Sequence, residues 1–280
     1  MKAVLFVCST FLKETGKRNM TIHLYTLCWN EIDILPFVID YWKRLNIARA
    51  VVYDNGSTDG SIEFLSQYDW IEVRHYDTGG EIDDLAYLDI KNNAWKESKG
   101  KADWVIVCDM DEIIFSNYLE EELSYMKNNN YNTMVCPWYM LCFDKRPSYD
   151  PNKLLHTQGD KFYKQLINYF FDYRDYGKFL LFDPNNIDEI DFGMGAHTCH
   201  PKPNSSVYIS DKIIEFHINK GLCEDYFVER RKIFGQRLSE ENRKCCRGCE
   251  YLLSEQSNRE NYRGYQNNSI NVNEVFKDIL

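Results

Sequence analysis

The chain predicts an α/β fold: a mainly parallel sheet with helices on both faces, followed by a C-terminal elaboration. Two observations carry this. Short apolar runs alternate with segments of helical spacing through residues 21–115, the pattern of strands joined by crossover helices. Two of those runs end directly in acidic turns, and ligands of such sheets bind at the carboxyl ends of strands.

The elements follow in order. Thr21 to Cys28 is β-branched and aromatic, a buried strand. From Glu31 to Leu45, apolar residues at Ile34, Leu35, Phe37, Val38, Tyr41, Trp42 and Leu45 mark a helix. Pro36 falls in its first turn, where a missing amide does little harm. Ala50 to Tyr53 is a second strand, running into Asp54-Asn55-Gly56-Ser57-Thr58-Asp59-Gly60. A short helix over Ser61 to Gln67, a strand over Ile71 to Tyr76, a helix over Asp84 to Ser98 and a strand over Trp104 to Cys108 complete the first half. Beyond it the pattern loosens: Thr133 to Phe143 and Ile213 to Phe216 are strand-like, and Glu224 to Leu238 has helical spacing. The stretch from Ser254 to Asn273, rich in Asn, Ser, Gln and Arg, reads as loosely ordered.

Composition narrows the function. The 280 residues are 44% hydrophobic and 27% charged, enough apolar content for a core. A net charge of −10 argues against nucleic acid, whose phosphates call for a basic excess. A phosphate ligand on so acidic a chain implies an intervening cation. The aromatic content of 15% suits a carbohydrate cleft and an ordinary core alike. The apolar stretch from Ala3 to Leu12 is too short to span a bilayer and makes a poor signal peptide. Residues 1–20 therefore read as an extension, 21–240 as the domain and 241–280 as a polar tail. Cys28, Cys108, Cys136 and Cys142 lie in or beside apolar runs and behave as small hydrophobes. A reducing cytoplasm is the simpler home for them. Cys245, Cys246 and Cys249 lack a second pair at zinc spacing and read as surface thiols at a helix end.

Two acidic turns carry the chemistry. In Val105-Ile106-Val107-Cys108-Asp109-Met110-Asp111-Glu112, a buried strand ends in two carboxylates one residue apart, which a turn can converge on one ion. Hard oxygen ligands suit Mg2+ or Mn2+; the bland alternative is a solvated turn. In the other, Gly56 and Gly60 permit tight turns, Ser57 or Thr58 can cap the next helix, and the Asp54 carboxylate can accept from a base N–H. A βα turn with a cap explains that segment equally well.

Together these segments resemble the inverting nucleotide-sugar glycosyltransferases of the family-two type, which have the GT-A fold. The likeness is closest to the branch that opens with a strand and Trp-Asn-Glu, here Cys28-Trp29-Asn30-Glu31. The family's Asp-Asp-Gly-Ser-Thr-Asp-Gly stands as Asp54 to Gly60, and its Asp-x-Asp as Asp109-Met110-Asp111. Its Arg-Asn helix start is matched less well by Asn92-Asn93. The likeness covers about residues 21–115, which would form the nucleotide-sugar half, with 116–240 the acceptor half.

The resemblance implies the following roles. Asn30, Glu31, Asp54, Asp84 (or its neighbour Asp83) and Asn93 would line the nucleotide-sugar pocket. Asp109 would meet the ribose and, with Asp111, the metal–diphosphate. Of the carboxylates Asp188, Glu189 and Asp191, Asp191 is favoured as catalytic base, because Gly193 and Gly195 follow it. His217 competes with His197 as third metal ligand; it follows a strand and precedes a helix whose Arg230, Arg231 and Lys232 could meet phosphate. Mn2+ or Mg2+, a nucleotide-diphosphate sugar and a glycan or lipid-linked acceptor are implied, in the cytoplasm or peripheral to a membrane. A sugar nucleotidyltransferase would carry a basic Gly-rich loop after the first strand, and Cys28 to Glu31 is not one. A Rossmann oxidoreductase is disfavoured because no G-x-G-x-x-G follows a strand. A non-catalytic carbohydrate-binding relative is the remaining alternative; it would have no reason to keep Asp54, Asp109 and Asp111.

Overall fold

The computed structural model describes residues 20–159, 161–164, 178–203, 206–218 and 222–271; residues 1–19, most of the expected extension, lie outside this set. Along the chain run β1 (Ile22–Cys28), α1 (Leu35–Arg44), β2 (Ile47–Asp54), α2 (Ser61–Leu65), β3 (Ile71–His75), α3 (Asp84–Asn93), β4 (Trp104–Asp109) and β5 (Glu112–Phe115). There follow α4 (Leu119–Asn128), β6 (Thr133–Cys136), β7 (Trp138–Leu141), β8 (Lys161–Lys164), β9 (Lys178–Phe182), β10 (Val207–Ile209) and β11 (Ile214–His217). The last elements are α5 (Glu224–Arg237), α6 (Glu240–Lys244), α7 (Glu255–Asn267) and β12 (Ile270–Asn271).

A seven-stranded sheet has the order β10-β6-β9-β4-β1-β2-β3. Its pairs are parallel except those of β9, which runs against β4 and β6. Every residue of β1 is buried, as a central strand covered on both faces must be. Alternation along the strands divides the core in two. Leu24, Val52 and Ile106 join the cluster that α1 covers with Val38, Tyr41 and Trp42. Tyr25, Val51, Val105 and Val107 face the other way, onto Trp95, Ile187 and Phe192.

A second, five-stranded sheet has the order β12-β8-β7-β11-β5. The chain leaves the first sheet at Asp109 and enters the second at Glu112. The acidic triplet is therefore the joint between them, which fixes its position from both sides.

The expected elements of the first half are all present, the helix from Asp84 ending in a 3-10 turn over Ala94–Ser98. The C-terminal segment differs from expectation. Its residues through Asn271 are ordered by α6 and α7: Tyr262 is fully buried against Phe227, and its hydroxyl donates to the Phe143 carbonyl at 2.8 Å. The polar composition hid this, because the helix buries one narrow face and presents Asn, Gln and Arg elsewhere. Cys246 and Cys249 form a disulfide, where surface thiols were expected, while Cys28, Cys108, Cys136 and Cys142 are free and buried. No helix among the described residues is long and apolar enough to cross a membrane.

Candidate active site

Parallel pairing brings the strand ends into one row: Cys28 lies beside Asp54, Leu27 beside Asp109, and Asp54 beside His75. Two loops leave this row and lace together. The Asn30 amide donates to Ser57 Oγ at 2.8 Å, and Asn30 Oδ1 accepts from the Thr58 amide at 2.7 Å. Asp59 accepts from the Ile32 amide at 3.0 Å and from the Ser61 hydroxyl at 2.6 Å. Asn30 holds the left-handed conformation, φ 51°, that an asparagine tolerates better than most residues.

Asp54 is placed otherwise than expected for a base contact. It is 1% exposed, and its carboxylate accepts from the amides of Gly56 (2.9 Å) and Ser57 (3.0 Å) and from the Ser57 hydroxyl. The side chain orders its own turn. Glu31 is likewise turned inward: it pairs with Arg230 of α5, whose guanidinium also donates to the Asn30 carbonyl at 2.9 Å. Burial pushes the Glu31 carboxyl up, while the Arg230 guanidinium beside it favours the charged form. Arg231, too, is buried, over the Phe227 ring and donating to the Glu250 carbonyl. The two arginines expected at phosphate thus dock α5, and Arg237 lies over the Trp29 ring at 3.2 Å.

At the joint, Asp111 and His217 meet. β11 runs antiparallel to β5 with His217 opposite Glu112, and the Ile218 amide donates to the Asp111 carbonyl at 2.7 Å. This sets His217 Nε2 2.9 Å from Asp111 Oδ2. Burial would raise the Asp111 carboxyl, but His217 outweighs it and holds the group below its ordinary range. Asp109 goes elsewhere. Its Oδ1 pairs at 2.6 Å with Lys91, which α3 delivers to the site almost fully buried. Burial disfavours the Lys91 ammonium, yet Asp109 and Glu112 raise it above its usual value. Asp84, one helical stretch earlier on α3, is half-buried and pushed up by that burial, with Lys91 opposing. Asp83 is the helix cap, accepting from the Leu85 and Ala86 amides.

The expected metal set of Asp109, Asp111 and His217 is therefore not assembled as three, and among the described residues no group of three His, Cys, Asp or Glu side chains converges. Asp111 and His217 fit a smaller share of a coordination sphere. Their 2.9 Å separation matches a hydrogen bond, and equally the edge of about 3 Å between two ligands bound at about 2.1 Å. His217 Nδ1 is buried without a hydrogen-bond partner. Mg2+ takes one or two protein ligands and completes its sphere with water and phosphate oxygens. The pair fits that role.

Two predicted residues share a cleft. Asp191 and Asn93 line a cleft of about 400 Å3 with Leu85, Leu88, Asn92 and Lys202. Asn92 builds it, bonding the Phe192 backbone through both its amide atoms (2.7 and 3.4 Å). Asp191 is exposed at φ 52° and pairs with Lys202 at 3.1 Å. His197 contacts Trp138, whose ring also stacks on His217 at 5.2 Å.

Sequence reasoning overlooked Lys91, Glu112, Lys178 and Glu215. Lys91 lay within reach, since it falls four residues after Tyr87 and seven after Asp84 on one helix face. Lys178 could not be found, because only the closing of β9 against β4 brings it to the acidic turn.

No curated protein matches the chain. Among solved structures, TarS of S. aureus is similar at 14% identity, covering 83% of this chain and 43% of that one, with a TM-score of 0.42. TarS residues 1–349 in complex with UDP give 13%, 83% and 71%, with a TM-score of 0.40. The chain thus spans less than half the length of the longer TarS chain. Residues 25–184 match the family described as Glycosyl transferase family 2. That match spans more than half of the 280 residues, and the chain, with its mainly parallel α/β sheet, belongs to glycosyl transferase family 2.

Proposed function

We propose that the chain transfers a sugar, with inversion, from a nucleotide-diphosphate donor to a hydroxyl of a glycan or lipid-linked acceptor, using Mn2+ or Mg2+. The observation that carries this reading is the Asp111–His217 pair, buried at the joint of the two sheets beside the strand-end row.

Asp111 and His217 would hold the ion, which when bound supplies positive charge against the departing diphosphate. The Asp111 carboxyl lies below its ordinary range, so this ligand is in its binding form near neutral pH. The laced loops carrying Asn30 and Asp54 frame the nucleoside, Asp54 by ordering the turn rather than by direct contact. Asp84 and Asp109, bracketing Lys91, would face the donor from α3 and β4. Asp191 is assigned as the base that takes the proton of the attacking hydroxyl. It is a carboxylate at a left-handed position opening on the cleft that Asn93 shares, and non-glycine residues in such conformations gather at functional sites. The acceptor would reach it along that cleft.

A thermal-shift screen of nucleotide-diphosphate sugars, with and without Mn2+, tests donor binding. The expected result is stabilisation by one nucleotide class that requires the metal. Stabilisation by none would favour a non-catalytic carbohydrate-binding protein. Asp191→Asn should keep donor binding and lose transfer; transfer at the original rate would remove Asp191 from the base role.

A further inference from the structure

Beneath the Asp109–Asp111 turn lies an ion pair that the reaction does not use directly. Glu112 is 2% exposed. Its Oε2 folds back and accepts from the Asp109 amide at 3.0 Å, closing the acidic turn on itself. Its Oε1 pairs with Lys178, the first residue of β9, which is equally buried. The Lys178 ammonium sits over the Trp138 ring, 4.8 Å from its centroid. Trp138 in turn stacks on His217 at 5.2 Å, and His217 bonds Asp111.

The contacts form a ring. It runs from Asp111 through His217, Trp138 and Lys178 to Glu112, and returns through the Asp109 amide to the turn. Its members come from four places in the chain: the joint, which supplies Asp109, Asp111 and Glu112, and β11, β7 and β9. Two further buried groups flank it. Lys91 binds the Asp109 carboxylate from one side. Glu215, fully buried two residues before His217, has neither oxygen hydrogen-bonded among the described residues.

Such a pair is a poor way to gain stability. Desolvating two charges cancels most of their attraction, and a well-packed apolar pair of equal volume would serve as well. What the pair supplies is direction: a carboxylate able to accept from one amide and one ammonium fixes the turn in a single conformation. We propose that Glu112 and Lys178 are positioning residues, which hold the Asp109–Asp111 turn and His217 in the geometry that binds the metal and the donor diphosphate. The inference rests on the metal reading above. Residues around a ligand set that orient it typically change metal affinity by about 10–100-fold when lost.

Removing one partner leaves a buried charge and can unfold the chain, so the test uses the neutral pair Glu112→Gln/Lys178→Met. The glutamine keeps an acceptor for the Asp109 amide, and the methionine keeps the contact with Trp138. Mn2+ binding is titrated by electron paramagnetic resonance with UDP present, alongside thermal unfolding and kinetics. The expected result is an unfolding midpoint near that of the original chain with Mn2+ affinity reduced at least tenfold. The apparent Mn2+ requirement of turnover rises in step, while kcat at saturating metal falls less than tenfold. The separate conservative variant Lys178→Arg should retain most of the affinity. Unchanged Mn2+ affinity in the folded double variant overturns the inference and leaves the metal reading intact. An original chain that binds no Mn2+ overturns both.

Discussion

Asp111 is held from three directions, by the backbone bond of its carbonyl to Ile218, by His217 and by the burial of the joint. Replacing it with alanine removes the partner of His217 Nε2 but keeps the backbone bond from the Ile218 amide, so the fold is expected to survive. Asp111→Ala is expected to lower transfer by about 10^2-fold or more, the scale of losing one charge-stabilising group, with an unchanged circular-dichroism spectrum. A second residue tests the electrostatics of the core. His156 is 3% exposed and stacks on Phe216. The Tyr41 hydroxyl accepts from the His156 amide at 3.1 Å and meets its Nδ1 at 2.6 Å, which suits the neutral ring. Burial, aided by Arg44, lowers this histidine from 6.5 to about 4. Between those values the unfolded chain binds a proton that the folded chain refuses. The stability is complete above about pH 6.5 and is lost as pH falls towards 4, by about 3 kcal/mol at 1.36 kcal/mol per unit. Urea denaturation at pH 7 and pH 4.5 should show that extra loss, and His156→Gln should lack it; parallel profiles would contradict the assignment.

At the scale of elements, α5 is the piece that closes the strand-end row. Its Arg230 reaches Glu31 and the Asn30 carbonyl, and its Arg237 covers Trp29. Truncating one partner of a buried pair typically costs about 3–5 kcal/mol, because the other charge is stranded. Arg230→Met should therefore be far more destabilising than Arg230→Met/Glu31→Gln, as equilibrium unfolding would report; equal losses would mean that the pair is not coupled. The helix itself was legible from the spacing of Tyr226, Phe227, Ile233 and Phe234. The direction of its arginines was not. A basic helix near an acidic turn suggests an anion, and only the tertiary structure reveals that Glu31 supplies one. Asp54 teaches the same lesson. Its turn was legible in full, but a carboxylate followed by glycine and serine satisfies itself locally before it can meet a ligand.

For the molecule as a whole, the parallel core of the first sheet and the placement of the acidic turn followed from the alternating pattern of residues 21–115, whereas the strand order, with β6, β9 and β10 drawn from beyond that stretch, did not. The second sheet did not, since β7, β8, β11 and β12 are short and pair across long sequence separations. The C-terminal segment was misjudged because its few buried residues are scattered among polar ones. Tyr262→Ala should cost about 3–5 kcal/mol, as truncation of a buried aromatic does, in chemical denaturation; a negligible change would return the segment to the loose tail first expected. We propose a metal-dependent sugar transferase centred on Asp111 and His217. The most direct test measures release of nucleoside diphosphate from a panel of nucleotide sugars, for the original chain and Asp111→Ala, with Mn2+ and with chelator. The expected result is release from at least one donor that needs the metal and disappears in the variant. Release that persists in chelator, or in Asp111→Ala, would contradict it.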